Sequence, residues 1–184
     1  MKIIQALIVG AVAIPLAGFV GAGSNSDVIP GGKDTFPRVT GINLLGDEVR
    51  LPDGFEGDIN LVVVGFVQEH QKDIDTWIAA LPGLLAAGSS LRLYEVPVIY
   101  RASAPFRLWV NNGMHYGIPD PVARKRTITV YADQGKFVES VGASGLDRIH
   151  ALLVDKSGRI IWRTQGPADP TSIAELTSLL KSRG

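Results

Sequence analysis

The stretch INLVVVGFVQEHQKDIDTW, residues Ile59 to Trp77, joins an apolar run, a polar segment and an amphipathic pattern. The run Ile59 to Phe66 predicts a central β-strand, because strands covered on both faces are continuously aliphatic and aromatic. From Asp73 to Ala87 the apolar residues recur every three or four positions, which predicts a helix with one buried stripe and a kink at Pro82. Segments that follow buried strands present side chains from a rigid base, so Gln68 to Asp73 is the first candidate for function.

The rest of the chain predicts an α/β fold in which strands and helices alternate before a final β-hairpin and helix. Asp169 and Pro170 are typical of a helix start, because aspartate caps a helix and proline suits its first position. The other predicted elements are a small hairpin over Phe36–Leu51, strands at Leu91–Ile99 and Thr127–Tyr131, helices at Pro105–Met114 and Gly135–Val141, and a hairpin of Ala151–Asp155 with Arg159–Arg163.

The N-terminal residues differ in composition from the rest of the chain. Residues 3–22 carry no charge, and the small residues just before position 23 are typical of the cleavage point of an export signal. A run of about 20 apolar residues also suffices to span a bilayer. We therefore predict a signal peptide or membrane anchor at 1–22, a flexible linker rich in Gly, Pro and Ser at 23–35, and one domain at 36–184. This domain is expected to be exported, either periplasmic or tethered to the inner membrane and facing the periplasm.

The composition excludes several classes of function. Eighteen Lys and Arg balance eighteen Asp and Glu, whereas nucleic-acid binding needs a surplus of positive charge. The chain has no cysteine, which removes disulfides, thiol catalysis and thiolate metal sites. No glycine-rich phosphate motif follows the Ile59 to Phe66 strand, and no motif supplies a base for Ser103 or Ser144. We predict no catalytic residue and no cofactor.

The element order, with ALLVDKSGRIIW at Ala151 to Trp162 as the late hairpin, resembles the thioredoxin-like superfamily. The resemblance implies a three-layer fold with a central mixed sheet and a C-terminal β-hairpin plus helix. Relatives carry Cys-x-x-Cys at the start of the first helix, where this chain has Gln71 and Ile74, and a proline before the hairpin, near Ile149 or His150 here. Neither Gln nor Ile can act as a thiol nucleophile, so thiol redox activity is excluded and a non-enzymatic role is expected.

Three shorter motifs resemble a narrower, cysteine-free family, the thioredoxin-like factors that help assemble the membrane sector of mitochondrial ATP synthase. These motifs are FPRVTGINLLGDEV at 36–49, LVD at 153–155 and IIWRTQGPA at 160–168. The resemblance implies a non-redox binding or assembly module whose partner is a protein, namely a subunit of a membrane complex.

The polar segment after the first strand is the predicted contact surface, because thioredoxin-like relatives meet their protein substrates at this place. Without thiols the contact would rest on hydrogen bonds and on nearby apolar or aromatic groups. The predicted binding residues are Gln68, Glu69, His70, Gln71, Lys72, Asp73, Trp109, Tyr116 and Ile118. The alternative, that this segment is only a solvated remnant of a lost redox site, stays open.

A metal-dependent function is the second hypothesis. Glu69, His70 and His115 offer two imidazoles and a carboxylate, which are ligands that zinc and copper accept. Because no close spacing of histidines supports such a site, no metal is predicted.

Overall fold

The computed structural model describes residues 26–32, 34–87, 90–100, 118 and 120–183. The strands in this part of the chain are β1 Val39–Asn43, β2 Glu48–Leu51, β3 Ile59–Gly65, β4 Leu91–Ile99, β5 Ile128–Tyr131, β6 His150–Asp155 and β7 Ile160–Gln165. The helices are α1 Gln71–Ala87, α2 Pro121–Arg126, α3 Gln134–Ser140 and α4 Pro170–Lys181. The helix predicted at Pro105–Met114 lies outside the described residues.

The strands form one mixed sheet in the order β2-β1-β5-β4-β3-β6-β7. Strands β3, β4 and β5 are parallel, while β1 and β6 run antiparallel to their neighbours β5 and β3. The ends of β3, β4 and β5 and the start of β6 therefore lie along one edge of the sheet, which we call the carboxyl edge. The predicted α/β fold, with its mixed sheet and its C-terminal hairpin plus helix, is confirmed.

Helices cover both faces of the sheet and complete three layers. On one face, Trp77 of α1 and Leu176 of α4 are fully buried against Leu61 and Leu153 of the central strands. The indole Nε1 of Trp77 also donates a hydrogen bond to the carbonyl oxygen of Gly166 at 3.1 Å. The aliphatic stripe of the opening sequence thus forms core.

Aromatic packing dominates the other face. The ring of Phe36 meets those of Phe55 and Phe137 edge-on, with centroids 5.3 and 5.7 Å apart. Phe137 comes from α3, so this cluster fixes α3 against the sheet.

The described part of the predicted linker packs against the sheet. Ser26 is buried, and its backbone N–H donates to the carbonyl oxygen of Tyr131 at 2.8 Å. Ile29 and Arg38 exchange two backbone hydrogen bonds, and the carbonyl oxygen of Asp34 accepts from the N–H of Ile160 at 2.7 Å. Ser26, Ile29 and Asp34, which fall within the predicted linker, thus have backbone hydrogen bonds to the folded domain.

The predicted leader, residues 1–22, lies outside the described residues. Within the part of the chain that the structure describes, no helix has the length and apolar character needed to cross a membrane.

Candidate binding site at the carboxyl edge

The segment predicted as a polar loop is helical. A single 3-10 turn, Gln68–His70, leads directly into α1, which begins at Gln71 rather than at Asp73. The imidazole of His70 explains this geometry, because its Nδ1 accepts the backbone N–H of Phe66 at 3.2 Å. The turn is thereby fastened to the end of β3, and His70 is buried.

The rings of two histidines, His70 and His150, both contact the ring of Phe66. The ring centroid of Phe66 lies 6.1 Å from that of His70 and 5.6 Å from that of His150. The Nε2 atom of His150 is 3.0 Å from the carbonyl oxygen of Gly145, which ties the loop before β6 to the site. Burial lowers the pKa of His150; the Gly145 carbonyl opposes this shift and His70 adds to it. The sequence identified His150 only as the place of a missing proline.

The two positions that carry thiols in redox relatives are filled by buried, unreactive side chains. Gln71 donates from Nε2 to Oδ1 of Asp75 at 2.9 Å, one helical turn further along α1. Its Oε1 is buried without a hydrogen-bond partner. Ile74 packs in the core beside Trp77. Neither of these two side chains can act as a nucleophile.

A buried carboxyl group that is not among the predicted site residues lies under α1. Glu95 of β4 pairs with Val63 of β3 and is only 7% exposed. Burial raises the pKa of Glu95 to about 7, and the nearby charge of Asp75 contributes to the shift. A single acid within the apolar strand LRLYEVPVI was the signal that could have indicated it.

The exposed part of the carboxyl edge combines apolar and charged side chains. Val67 follows β3 and is 54% exposed, and Tyr100 follows β4 and is 65% exposed. Glu69 in the 3-10 turn and Lys72 in the first turn of α1 follow Val67 along the chain, and both are exposed. We call Val67, Glu69, Lys72 and Tyr100 the edge surface.

One amide fixes the ends of the two strands that present the apolar members of this surface. Gln134 Nε2 donates to the carbonyl oxygen of Phe66 at 3.0 Å and to that of Val98 at 2.7 Å. The ends of β3 and β4 are therefore cross-linked through α3.

The predicted binding residues separate into three groups. Gln68, Glu69 and Lys72 are exposed and Asp73 is partly exposed, so they remain available for contact. His70, Gln71 and Ile118 are buried, which corrects their assignment as contact residues. Ile118 packs with Leu44 in a small buried cluster. Trp109 and Tyr116 lie outside the described residues.

The metal hypothesis receives no support from the described residues. His115 lies outside them, and His70 is buried with its Nδ1 engaged by Phe66. Within the described ranges, no three His, Asp or Glu side chains are grouped so as to hold a metal ion.

The architecture defines the class of fold as α/β and thioredoxin-like, as the sequence resemblance implied, and comparison with solved structures agrees. A protein described as the thiol:disulfide interchange protein DsbE from Chlorobium tepidum superposes with a TM-score of 0.52 at 15% identity, covering 85% of this chain and 99% of the other. A protein described as an electron transfer protein from Aquifex aeolicus superposes with a TM-score of 0.53 at 10% identity, covering 86% of this chain and 99% of the other.

The likeness at these identities establishes the fold and nothing finer. No family model and no curated protein matches the sequence. Because the chain has no cysteine, it cannot carry out thiol–disulfide exchange, which needs a thiolate to attack.

Proposed function

We propose that this protein is a non-redox binding module with a thioredoxin-like fold, which holds a protein partner at its edge surface and assists the assembly of a membrane complex. The observation that carries the proposal is the exposure of Val67 and Tyr100, at 54% and 65%, on the ends of two adjacent parallel strands. Exposed aliphatic and aromatic side chains grouped with charged ones are typical of protein interfaces.

The support beneath the edge surface favours binding over chemistry. His70 fastens the 3-10 turn to Phe66, and Gln134 fastens the ends of β3 and β4. Side chains on such a base keep one arrangement, which a protein partner can match. At the positions that the resemblance aligns with thiols, Gln71 and Ile74 are buried and neither can act as a thiol nucleophile.

We propose a subunit of the ATP synthase membrane sector as the first partner to test. The support is the resemblance of the motifs at 36–49, 153–155 and 160–168 to the assembly factors of that sector.

Export is part of the same proposal, because residues 3–22 carry no charge and follow a single lysine at position 2. The full chain fused to a reporter that is active only in the cytoplasm should give no signal. A strong signal with the leader attached contradicts export.

The test compares two valines with the same exposure. Val67 on the edge surface is 54% exposed, and Val122 on α2 is 53% exposed. Affinity-tagged full-length protein is purified from its native membrane in mild detergent, and co-purified subunits are quantified by mass spectrometry. Val67→Ser combined with Tyr100→Ser should reduce partner recovery about tenfold, since central apolar side chains supply much of an interface's affinity. Val122→Ser should leave recovery unchanged.

Equal recovery with the wild-type protein and the Val67→Ser, Tyr100→Ser variant would show that the edge surface does not hold the partner. Loss of recovery in the Val122→Ser control as well would point to a general defect in folding, which circular dichroism on each purified variant detects.

A further inference from the structure

The imidazole of His70 can hold the 3-10 turn in only one of its protonation states. Its Nδ1 atom accepts the backbone N–H of Phe66 at 3.2 Å, so this nitrogen carries a lone pair and no proton. Protonation would place an N–H on the same nitrogen, and two donors would then face each other. The hydrogen bond to Phe66 therefore exists only while His70 is neutral.

Burial makes the charged state of this histidine less compatible with the observed turn. His70 is 5% exposed, whereas Gln68 and Glu69, which precede it in the turn, are exposed. A charged imidazole loses its hydration in a buried place, so protonation drives the side chain of His70 toward the solvent. Because the turn itself lies at the surface, this movement does not require the core to open.

The bond to His70 is separate from the bond that holds the end of β3. Gln134 Nε2 donates to the carbonyl oxygen of Phe66 at 3.0 Å, whereas His70 accepts from the N–H of the same residue. Loss of the imidazole bond would therefore leave the end of β3 in place and free the turn that follows it. Val67 and Glu69, two members of the edge surface, lie at the start of that turn and within it.

The second titratable group at this place is His150 of β6, which contacts the same phenylalanine ring. Burial lowers the pKa of His150, a charge on His70 lowers it further, and Asp147 in the preceding loop raises it. A proton on His70 thus disfavours a proton on His150. The other charged groups of the turn, of α1 beside it and of this loop are exposed or partly exposed, so the solvent screens them: Glu69, Lys72, Asp73, Asp75 and Arg148.

We infer that His70 is a pH-dependent latch on the edge surface: the neutral imidazole holds the 3-10 turn against the end of β3, and protonation releases the turn, which weakens the binding of a partner. Histidine is the side chain that ordinarily changes its charge between pH 5 and pH 8. The latch itself rests on the hydrogen bond to Phe66, whereas its effect on a partner rests on the proposed function.

Amide exchange measured by NMR on the full-length protein tests the latch at Phe66. From pH 7.5 to pH 5 the protection of the Phe66 N–H, corrected for the intrinsic pH dependence of exchange, should fall at least about tenfold, the order expected for the loss of one hydrogen bond. The amide of Val63, in the middle of β3, reports unfolding of the whole domain and should not follow Phe66. Unchanged protection at Phe66, or the same fall at Val63, overturns the inference.

Two amide variants assign the effect to one histidine. In His70→Asn the side-chain oxygen takes the place of Nδ1 and accepts the same N–H without titrating, so Phe66 should be equally protected at both pH values. In His150→Gln an amide nitrogen replaces the Nε2 that faces the Gly145 carbonyl, and the pH dependence at Phe66 should persist. A pH dependence retained in His70→Asn, or lost in His150→Gln, overturns the inference.

The wild-type protein supplies the same decision if a variant does not fold. The imidazole nitrogen signals of His70 report its protonation, and their midpoint should coincide with the midpoint for the loss of protection at Phe66. Different midpoints overturn the latch.

Partner recovery at the two pH values separates the latch from the proposed function. Recovery with the wild type should fall about tenfold from pH 7.5 to pH 5, because the apparent affinity falls with the latched fraction, and recovery with His70→Asn should not change. A released latch with unchanged wild-type recovery would overturn the inferred regulation. Recovery at pH 7.5 that does not depend on Val67 and Tyr100 would contradict the proposed function, and the latch measured at Phe66 would stand.

Discussion

The carboxyl group of Glu95 lies buried in the sheet beneath α1, where Asp75 is a charged neighbour that disfavours its ionisation. Burial is the main cause that raises its pKa from 4.5 to about 7. The folded protein therefore retains a proton that the unfolded chain releases between these two values. Stability from this group is fully present below pH 4.5 and is lost as pH rises to about 7.

Replacing Glu95 by glutamine should remove this loss. Because a shift of one pKa unit corresponds to about 1.4 kcal/mol, we expect Glu95→Gln to exceed the wild type in free energy of unfolding by on the order of 3 kcal/mol at pH 8, and to equal it near pH 4. Urea denaturation at both pH values measures the difference. An identical free energy of unfolding for the two proteins at pH 8 would contradict the placement of Glu95.

His150 should respond to pH in the opposite direction. Burial lowers its pKa in the folded protein, so the unfolded chain binds a proton more readily as pH falls below 6.5. The wild type should lose stability between pH 7 and pH 5 relative to His150→Gln, which cannot titrate. The difference between the two proteins is the quantity to follow, since Glu95 stabilises the fold over part of the same range. A constant difference across that range would show that His150 titrates normally.

Leu153 tests the core of the hairpin. It is fully buried on β6 against α1 and α4. Leu153→Ala should therefore lower the free energy of unfolding by about 2–5 kcal/mol, through lost burial and a residual cavity. Leu146→Ala is the matched control, because Leu146 is exposed and its truncation should change stability by about 0.5 kcal/mol or less. Chemical denaturation of both variants gives the comparison. Equal costs would contradict the position of β6.

The 3-10 turn allows binding and stability to be separated at neighbouring residues. Glu69→Ala with Lys72→Ala should weaken partner recovery and leave the denaturation midpoint nearly unchanged, because both side chains are exposed. His70→Ala should instead destabilise the fold by about 1–3 kcal/mol, since the N–H of Phe66 would lose its partner. Unchanged recovery with the folded Glu69→Ala, Lys72→Ala variant would mean that the turn is only a scaffold.

The packed N-terminal segment predicts an asymmetry between two truncations. A chain that starts at residue 24 keeps the hydrogen bonds of Ser26, Ile29 and Asp34, whereas one that starts at Phe36 loses them. At about 1 kcal/mol for each hydrogen bond, the shorter chain should be less stable by at least about 2 kcal/mol. Thermal denaturation measures this. Equal melting temperatures would show that these hydrogen bonds do not stabilise the fold, as expected for a flexible linker.

Local patterns predicted those elements whose burial is continuous along the chain. The run at Ile59 to Phe66 is covered on both faces and is therefore continuously apolar, whereas the stripe around Trp77 faces the core and recurs with the helical period. The start of α1 was missed because polar residues suit a loop and an exposed helical turn equally. The helical turn before α1 is held by the hydrogen bond from the N–H of Phe66 to Nδ1 of His70, which depends on the orientation of one imidazole ring.

Contacts between distant parts of the chain account for the other differences. Ser, Gly and Pro around Ser26 favour a linker by composition, and nothing local reveals that Tyr131 will supply a carbonyl partner. The raised pKa of Glu95 depends on its burial and on the nearby Asp75 of α1, and neither can be predicted from the residues around Glu95 in the sequence. The identity of a side chain's neighbours was the missing information in each case.

The two hydrogen bonds of Gln134 have a consequence for the binding role proposed above. Since one amide holds the ends of both β3 and β4, the distance between Val67 and Tyr100 is established before any encounter. Association then loses little conformational entropy on this side of the interface, because preorganised groups need no ordering when they dock. Under the proposed function, affinity at the edge surface would therefore depend partly on Gln134 of α3, a residue that need not touch the partner.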